Sequence, residues 1–205
     1  DDSESLRVSG KWADLLPSIP EGMNYLYHTE RGEGRPPFGW RRRYWSFLLK
    51  LAKARPAWQL VATDASPAAL HVARDNAATL NLAHRVCFQQ GDWCDALPAG
   101  RFAALVSNPP YIAADDPHLA ALGFEPATAL VAAENGLADL RRIAEQAPAH
   151  LLSGGWLLLE HGWQQGAAVR DLLSRLGYHQ IETHHDLGGQ ERVTSARIGE
   201  EHTDG

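Results

Sequence analysis

Gln59-Leu60-Val61-Ala62-Thr63-Asp64-Ala65-Ser66-Pro67 is the stretch on which the fold turns. A short apolar run ends on a carboxylate at Asp64. Two residues later Ser66 offers a hydroxyl suited to a helix N-cap, and Pro67 suits the first helical position. A strand is thus delivered into a helix. That helix is predicted to reach about Leu80, with Leu70, Ala73, Ala77 and Leu80 on one face. The alternation continues downstream. Val86 to Gln90 reads as a strand closed by Gly91-Asp92, and Phe102 to Ser107 as a strand closed by Asn108-Pro109-Pro110. Leu137 to Leu152 reads as a helix ending at a Ser153-Gly154-Gly155 cap. Trp156 to Glu160 is a further strand, and Gln164 to Leu176 a helix stopped by Gly177. Tyr178 to His185 and Arg192 to Ile198 form a closing pair without a helix between them. Buried strands alternating with helices predict an α/β fold, Rossmann-like, with a mostly parallel sheet covered on both faces and an antiparallel C-terminal edge.

Upstream the character changes. Residues 1–54 mix Pro, Gly, Trp and Arg without a period and read as a separate N-terminal segment, and residues 55–205 read as the principal domain. Glu30-Arg31-Gly32-Glu33-Gly34-Arg35-Pro36-Pro37 reads as loop, because Gly and Pro interrupt it too densely for helix or strand. Tyr44 to Ala52 is an apolar run whose length leaves helix and strand both open.

Composition narrows the classes. With 205 residues there is room for one domain and an appendage, and no apolar run reaches the roughly 20 residues a membrane span requires. The acidic start, Asp1-Asp2-Ser3-Glu4-Ser5, lacks secretory-signal chemistry, and the chain opens without Met, as a fragment or a processed chain would. Cys87 and Cys94 have the wrong spacing and number for a zinc site, so no metal is expected. Reduced thiols place the chain in the cytoplasm. The net charge of −6 argues against direct DNA binding, which leans on cationic side chains; Arg41-Arg42-Arg43 is too short to reverse that.

In open parallel sheets, ligands bind beyond the carboxyl ends of the strands. Asp64, Asp92, Asn108 and Glu160 stand there. Ser107-Asn108-Pro109-Pro110-Tyr111 is the sharpest of these features. The Asn108 side-chain oxygen and the Pro109 carbonyl are two hydrogen-bond acceptors, Pro109 and Pro110 stiffen the loop that presents them, and the Tyr111 ring can stack on a flat group. Two fixed acceptors and a plate suit a planar NH₂ group whose nitrogen must be aimed at an electrophile, as in transfer of a methyl group. Asp64 at a strand end is suited to ribose hydroxyls, and the Asp92 carboxylate to an adenine amino group, with Trp93 packing nearby.

From about Ala52 to Ile198, 147 of 205 residues, the chain resembles the protein-glutamine methyltransferases that modify class I peptide chain release factors. The resemblance rests on Val61-Ala62-Thr63-Asp64, Gly91-Asp92-Trp93, Val106-Ser107-Asn108-Pro109-Pro110-Tyr111-Ile112, Asp116-Pro117-His118-Leu119, Phe124-Glu125-Pro126, Ala129-Leu130-Val131-Ala132, Gly155-Trp156-Leu157-Leu158-Leu159-Glu160-His161-Gly162 and Glu191-Arg192-Val193. It implies S-adenosylmethionine as cofactor. It further implies that Asn108, Pro109, Pro110 and Tyr111 bind the acceptor glutamine, that Asp64 holds the cofactor's ribose, and that Asp92 and Trp93 line its adenine pocket beside Asn108. Release factors are the implied partners. The Asn-Pro-Pro-Tyr segment is also similar to that of DNA and RNA amino methyltransferases, so a nucleic-acid acceptor remains a competing reading. Gly188-Gly189-Gln190 spells the release-factor tripeptide, but two glycines between closing strands are explained by a turn.

The chain departs from the family at one place. The family opens its domain with a strand running into Asp-x-Gly-x-Gly-x-Gly, which lets backbone approach the cofactor. Here Gly32-Glu33-Gly34-Arg35-Pro36-Pro37 is the nearest stretch. No apolar strand is read before it, and it is not assigned as the cofactor loop. Arg42-Arg43-Tyr44-Trp45-Ser46-Phe47 resembles the family's upstream hairpin, and Leu51 to Pro56 the end of its first helix. The first strand is therefore expected to be missing or replaced, with Tyr44 to Ala52 filling the gap at the sheet centre. A relic that keeps the acceptor loop but binds no cofactor is the alternative this departure raises.

Overall fold

The computed structural model describes residues 24–29, 57–111, 133–186 and 188–199. Seven strands form one sheet in the order β3-β2-β1-β4-β5-β7-β6. They are β1 (Asn24–Thr29), β2 (Gln59–Asp64), β3 (Val86–Gln90), β4 (Phe102–Asn108), β5 (Leu151–Glu160), β6 (His179–His185) and β7 (Glu191–Arg197). The first five are parallel, and β7 and β6 complete an antiparallel edge. Four helices accompany them among the described residues: α1 (Pro67–Thr79), α2 (Ala133–Gly136), α3 (Ala138–His150) and α4 (Gly166–Arg175). No helix among the described residues is long and apolar enough to cross a membrane.

The sheet is buried on both faces because its strands alternate. Leu60 and Ala62 of β2, Ala104 and Val106 of β4 and Leu158 of β5 pack with Leu70, Ala73 and Ala77 of α1. Val61, Leu105, Leu157 and Leu159 point the other way and meet Leu140, Ile143 and Ala144 of α3 and Val169 and Leu173 of α4. Burying one such aliphatic side chain contributes about 1.5–3 kcal/mol. Ser66 caps α1 as expected, its hydroxyl accepting from the Ala69 amide at 3.3 Å with Pro67 in the first turn. Leu80 departs from expectation. It is the C-cap and is 50% exposed, because the helix stops before its side chain returns to the buried face.

Two further expectations are corrected. Ser153-Gly154-Gly155 does not cap a helix. Helix α3 ends at His150, Leu151 is already extended, and the three residues lie within β5. Phe102 pairs with Leu151 and Ala104 with Trp156, so β5 carries a bulge between these pairs. Gly154 has φ +69°, a conformation that glycine adopts without penalty.

The centre of the sheet is the larger correction. It is held by β1, Asn24–Thr29, and not by Tyr44 to Ala52, which lie outside the described residues. Strand β1 pairs in parallel with β2 on one side and β4 on the other, from Tyr25 between Leu60 and Ala104 to Thr29 between Asp64 and Asn108. Every backbone donor and acceptor in the middle of a parallel sheet needs such a neighbour on each side. A six-residue strand rich in Tyr, Leu and Thr suits the role. The Gly32 to Pro37 stretch, denied a preceding strand on sequence grounds, therefore follows one directly in the chain. It lies outside the described residues, as do Arg41 to Phe47, Asp116 to Leu119, Phe124 to Pro126 and Ala129 to Ala132.

Candidate functional site

The winding of the chain reverses at β1. From β1 it proceeds to β2 and β3 on one side, then crosses to β4 on the other. Such a switch point is where an open sheet leaves a crevice at the carboxyl ends of its strands. Asp64 and Asn108 are the last residues of β2 and β4, and both are registered against Thr29 of β1. Their backbones are two strand spacings apart, about 9–10 Å.

Asp64 is buried, with 1% of its surface exposed. Its Oδ1 accepts from the Ser66 amide at 2.8 Å, closing a turn that leads into α1. The Asp64 carbonyl accepts from the Gly91 amide at 3.2 Å, which fastens the end of β3 to the end of β2. Asp92 follows Gly91 and precedes a 3₁₀ turn, Trp93–Ala96, in which the Asp95 amide donates to the Asp92 carbonyl. Trp93 has φ +45°, a costly backbone for a bulky residue, and its side chain is 1% exposed in the same core cluster as Leu105, Leu140 and Ile143. Core burial holds it there. Asp64 and Asp92 thus stand on neighbouring strand ends, while Trp93 is packed inward. The thiol of Cys94, in the same turn, is buried and pushed up to about 12, first by desolvation and then by Asp95; Cys87 is exposed, and both are free.

Asn108 is 3% exposed, and its Oδ1 is buried without a hydrogen-bond partner among the described residues. The Ser107 hydroxyl beside it is in the same condition. A buried acceptor left unpaired costs about 1–3 kcal/mol, so its presence calls for a reason. Pro109 and Pro110 follow, both buried, and Tyr111 is half-buried against the α3–α4 core cluster.

Residues that sequence reasoning did not select hold this loop in place. The Tyr111 carbonyl accepts from Gln165 Nε2 at 2.8 Å, and Gln165 Oε1 accepts from the Gly162 amide at 2.8 Å. Beyond Gly162 a polar chain runs from the core outward to the half-exposed pair Arg170 and Glu191. His161, fully buried, uses Nδ1 on the Gly162 carbonyl at 2.9 Å and Nε2 on the Thr194 hydroxyl at 2.8 Å. Thr194 meets Thr183 at 2.9 Å, and Thr183 accepts from Arg170, which is paired with Glu191 at 2.9 Å. Burial lowers the pKa of His161, with Arg192 and Arg170 acting in the same direction against Gly162 and Glu191. The neutral ring then donates from Nδ1 to the carbonyl and accepts at Nε2. Local sequence carries only a trace of this arrangement, in the three-residue spacing of Gly162 and Gln165.

The turn between β6 and β7 is closed by Asp186, whose Oδ1 accepts from the Gly188 and Gln190 amides at 2.9 and 3.0 Å. Gly189 has φ +79°, as a tight turn requires, while Gly188 does not adopt a positive φ.

Comparison with known proteins places these features. Residues 47–123 match the family described as "Methyltransferase small domain". The release factor glutamine methyltransferase of Vibrio cholerae is 52% identical over 153 residues, 73% of this chain and 53% of that protein. The enzyme of the same name from Escherichia coli is 50% identical over 154 residues, 74% of this chain and 55% of that protein. The chain therefore spans about half the length of the curated relatives it matches. A methyltransferase crystal structure from Pyrococcus furiosus superimposes with a TM-score of 0.63 at 17% identity, covering 92% of this chain and 81% of that one, which shows a shared methyltransferase fold. With half of the matched residues identical over nearly three quarters of its length, the chain is, over that part, a relative of the proteins named release factor glutamine methyltransferase.

Proposed function

We propose that this chain is the catalytic part of a protein-glutamine methyltransferase. It moves a methyl group from S-adenosylmethionine to the side-chain amide nitrogen of the glutamine in the Gly-Gly-Gln tripeptide of class I release factors. The observation that carries this reading is the buried Oδ1 of Asn108 at the switch point of the sheet, which has no hydrogen-bond partner among the described residues.

An amide nitrogen is a poor nucleophile because its lone pair is delocalised into the carbonyl. A site that takes up its two hydrogens fixes the nitrogen's direction. Asn108 Oδ1 accepts one N–H and the Pro109 carbonyl the other, with Pro110 limiting backbone freedom and the Tyr111 ring lying against the flat amide. Pairing the orphaned oxygen removes its desolvation cost only when the amide is bound, so the site favours its acceptor. The nitrogen's proton becomes acidic only after the new bond has formed, so no base is required beforehand.

The residues at the strand ends fit S-adenosylmethionine. Asp64 presents a buried carboxylate suited to ribose hydroxyls, Asp92 a carboxylate suited to the adenine amino group, and the rigid Trp93 turn closes that side. When bound, the cofactor supplies a methyl group made electrophilic by its sulfonium. Strand β1 completes the sheet beneath, which counts against the relic reading. A cytoplasmic location goes with such a substrate.

Calorimetric titration with S-adenosylhomocysteine, followed by radiolabelled methyl transfer to a release factor, tests the proposal. Binding at micromolar concentration and labelling that disappears when the tripeptide glutamine is replaced are expected. Cooperatively folded protein that binds no S-adenosylhomocysteine would overturn it.

A further inference from the structure

We propose that Gln165 is a positioning residue for this reaction, holding the Asn108–Tyr111 loop through the Tyr111 carbonyl. The inference rests on the function proposed above. Gln165 lies in the turn between β5 and α4, 54 residues from Tyr111 in sequence. Its amide is used at both ends. Nε2 donates to the Tyr111 carbonyl and Oε1 accepts from the Gly162 amide, each at 2.8 Å. A carbonyl needs a donor and an N–H needs an acceptor, so only one orientation of the amide satisfies both. The backbone of Gln165 donates to the Gly162 carbonyl at 2.9 Å, which fixes the stem of the side chain as well.

A third segment closes over the same bond. Gly136, at the end of α2, has φ +83°. A Cβ there would lie 2.6 Å from Gln165 Nε2 and closer still to the Tyr111 carbonyl oxygen. Three stretches separate in sequence thus converge on one hydrogen bond. Pro109 and Pro110 remove freedom within the loop, but nothing in two prolines fixes its end relative to the sheet. The bond from Gln165 does so, because Gly162 is anchored through buried His161 to β7. Loss of the bond leaves the Asn108 acceptor in place and removes the tether that sets the backbone of Tyr111, whose ring still packs on the α3–α4 core cluster.

The test compares Gln165→Glu and Gln165→Met in the 205-residue chain. Glutamate is isosteric and keeps the acceptor for Gly162. Its ionised form sets an oxygen against the Tyr111 carbonyl, and its protonated form restores a donor. Methionine keeps the bulk and loses both bonds. With a Gly-Gly-Gln peptide as acceptor, kcat is expected to fall roughly 10- to 100-fold in both variants, the effect of misplacing a reacting group by about 1 Å. Affinity for S-adenosylhomocysteine and the thermal midpoint should stay near wild type. The glutamate variant should recover toward wild type as pH falls, and the methionine variant should not. Unchanged kcat in both variants overturns the proposal, as does a loss wholly accounted for by lower cofactor affinity or lower stability. The Tyr111 carbonyl and Gly162 amide resonances give a readout independent of turnover. If wild type transfers no methyl group, the function proposed above fails, and the tether is judged on those resonances alone: displacement in both variants upholds it, and wild-type positions overturn it.

Discussion

Asp64 and Asn108 end two strands that flank the same partner, and both are buried, yet they answer to different constraints. Asp64 has a local structural task. Its carboxylate accepts from the Ser66 amide and shapes the entry to α1. A buried Asp at that place would be reasonable in a protein with no ligand at all. Asn108 shows no such task among the described residues, where its Oδ1 meets no donor. The neighbourhoods differ in the same sense. The Asp64 end is braced by a helix cap two residues away, whereas the Asn108 loop is braced across the molecule by Gln165, Gly162 and His161. A buried polar atom that the described residues leave unpaired is the better pointer to chemistry.

The sharpest way to break this contrast is Asn108→Ala. Removing an acceptor that is unpaired among the described residues and is proposed to pair with the substrate should lower kcat about 10²–10³-fold while the thermal midpoint stays within a few degrees of wild type. A large stability loss would show that Asn108 has a structural partner after all. Asp64→Asn separates the two tasks of Asp64. The neutral oxygen can still accept from Ser66, so stability should hold, while S-adenosylhomocysteine should bind about tenfold or more weakly by titration, the scale of one charge-assisted hydrogen bond.

A smaller effect comes from His161, deep in the brace of the Asn108 side. Its folded pKa lies below the ordinary 6.5, chiefly through burial. Below that pH the unfolded chain binds a proton that the folded chain refuses, so stability should decline as pH falls from about 6.5 toward the folded pKa, by at most ~1.4 kcal/mol per pH unit. Denaturation of wild type and His161→Gln across that range measures the difference, and equal slopes would show that His161 does not contribute. Smallest is Ser66→Ala. It should cost about 1 kcal/mol in urea denaturation with methyl transfer unaffected per folded molecule, since the cap serves the helix alone.

Much of this was legible in the sequence because it is local. Strands β2, β3 and β4 are apolar runs cut short by Asp, Gly or Asn, and Ser66-Pro67 is a start signal confined to adjacent residues. The acceptor loop is contiguous, so Asn108 to Tyr111 stood out before any fold was known. What was missed depends on pairing at a distance. Strand β1 contains a single aliphatic residue, Leu26, and its place is set by two neighbours far along the chain. Ser153-Gly154-Gly155 looks like a helix terminus until the register of β4 against β5 shows a bulge. Gln165 follows another Gln, and nothing around it announces a bond to residue 111.

The position of β1 also bears on how the protein is made. Tyr25 must find Ala104, 79 residues later, and must do so between two strands that cannot pair with each other correctly while it is absent. Non-local parallel pairing of this kind is slow, because chain entropy is surrendered before the contacts reward it. Until β1 docks, β2 and β4 each present an open ladder on which another copy of the chain can grow. The docking of β1 and the completion of the crevice between Asp64 and Asn108 are then one event. A ligand that occupies that crevice should raise the yield of refolded monomer, because it binds only the state in which β1 is docked.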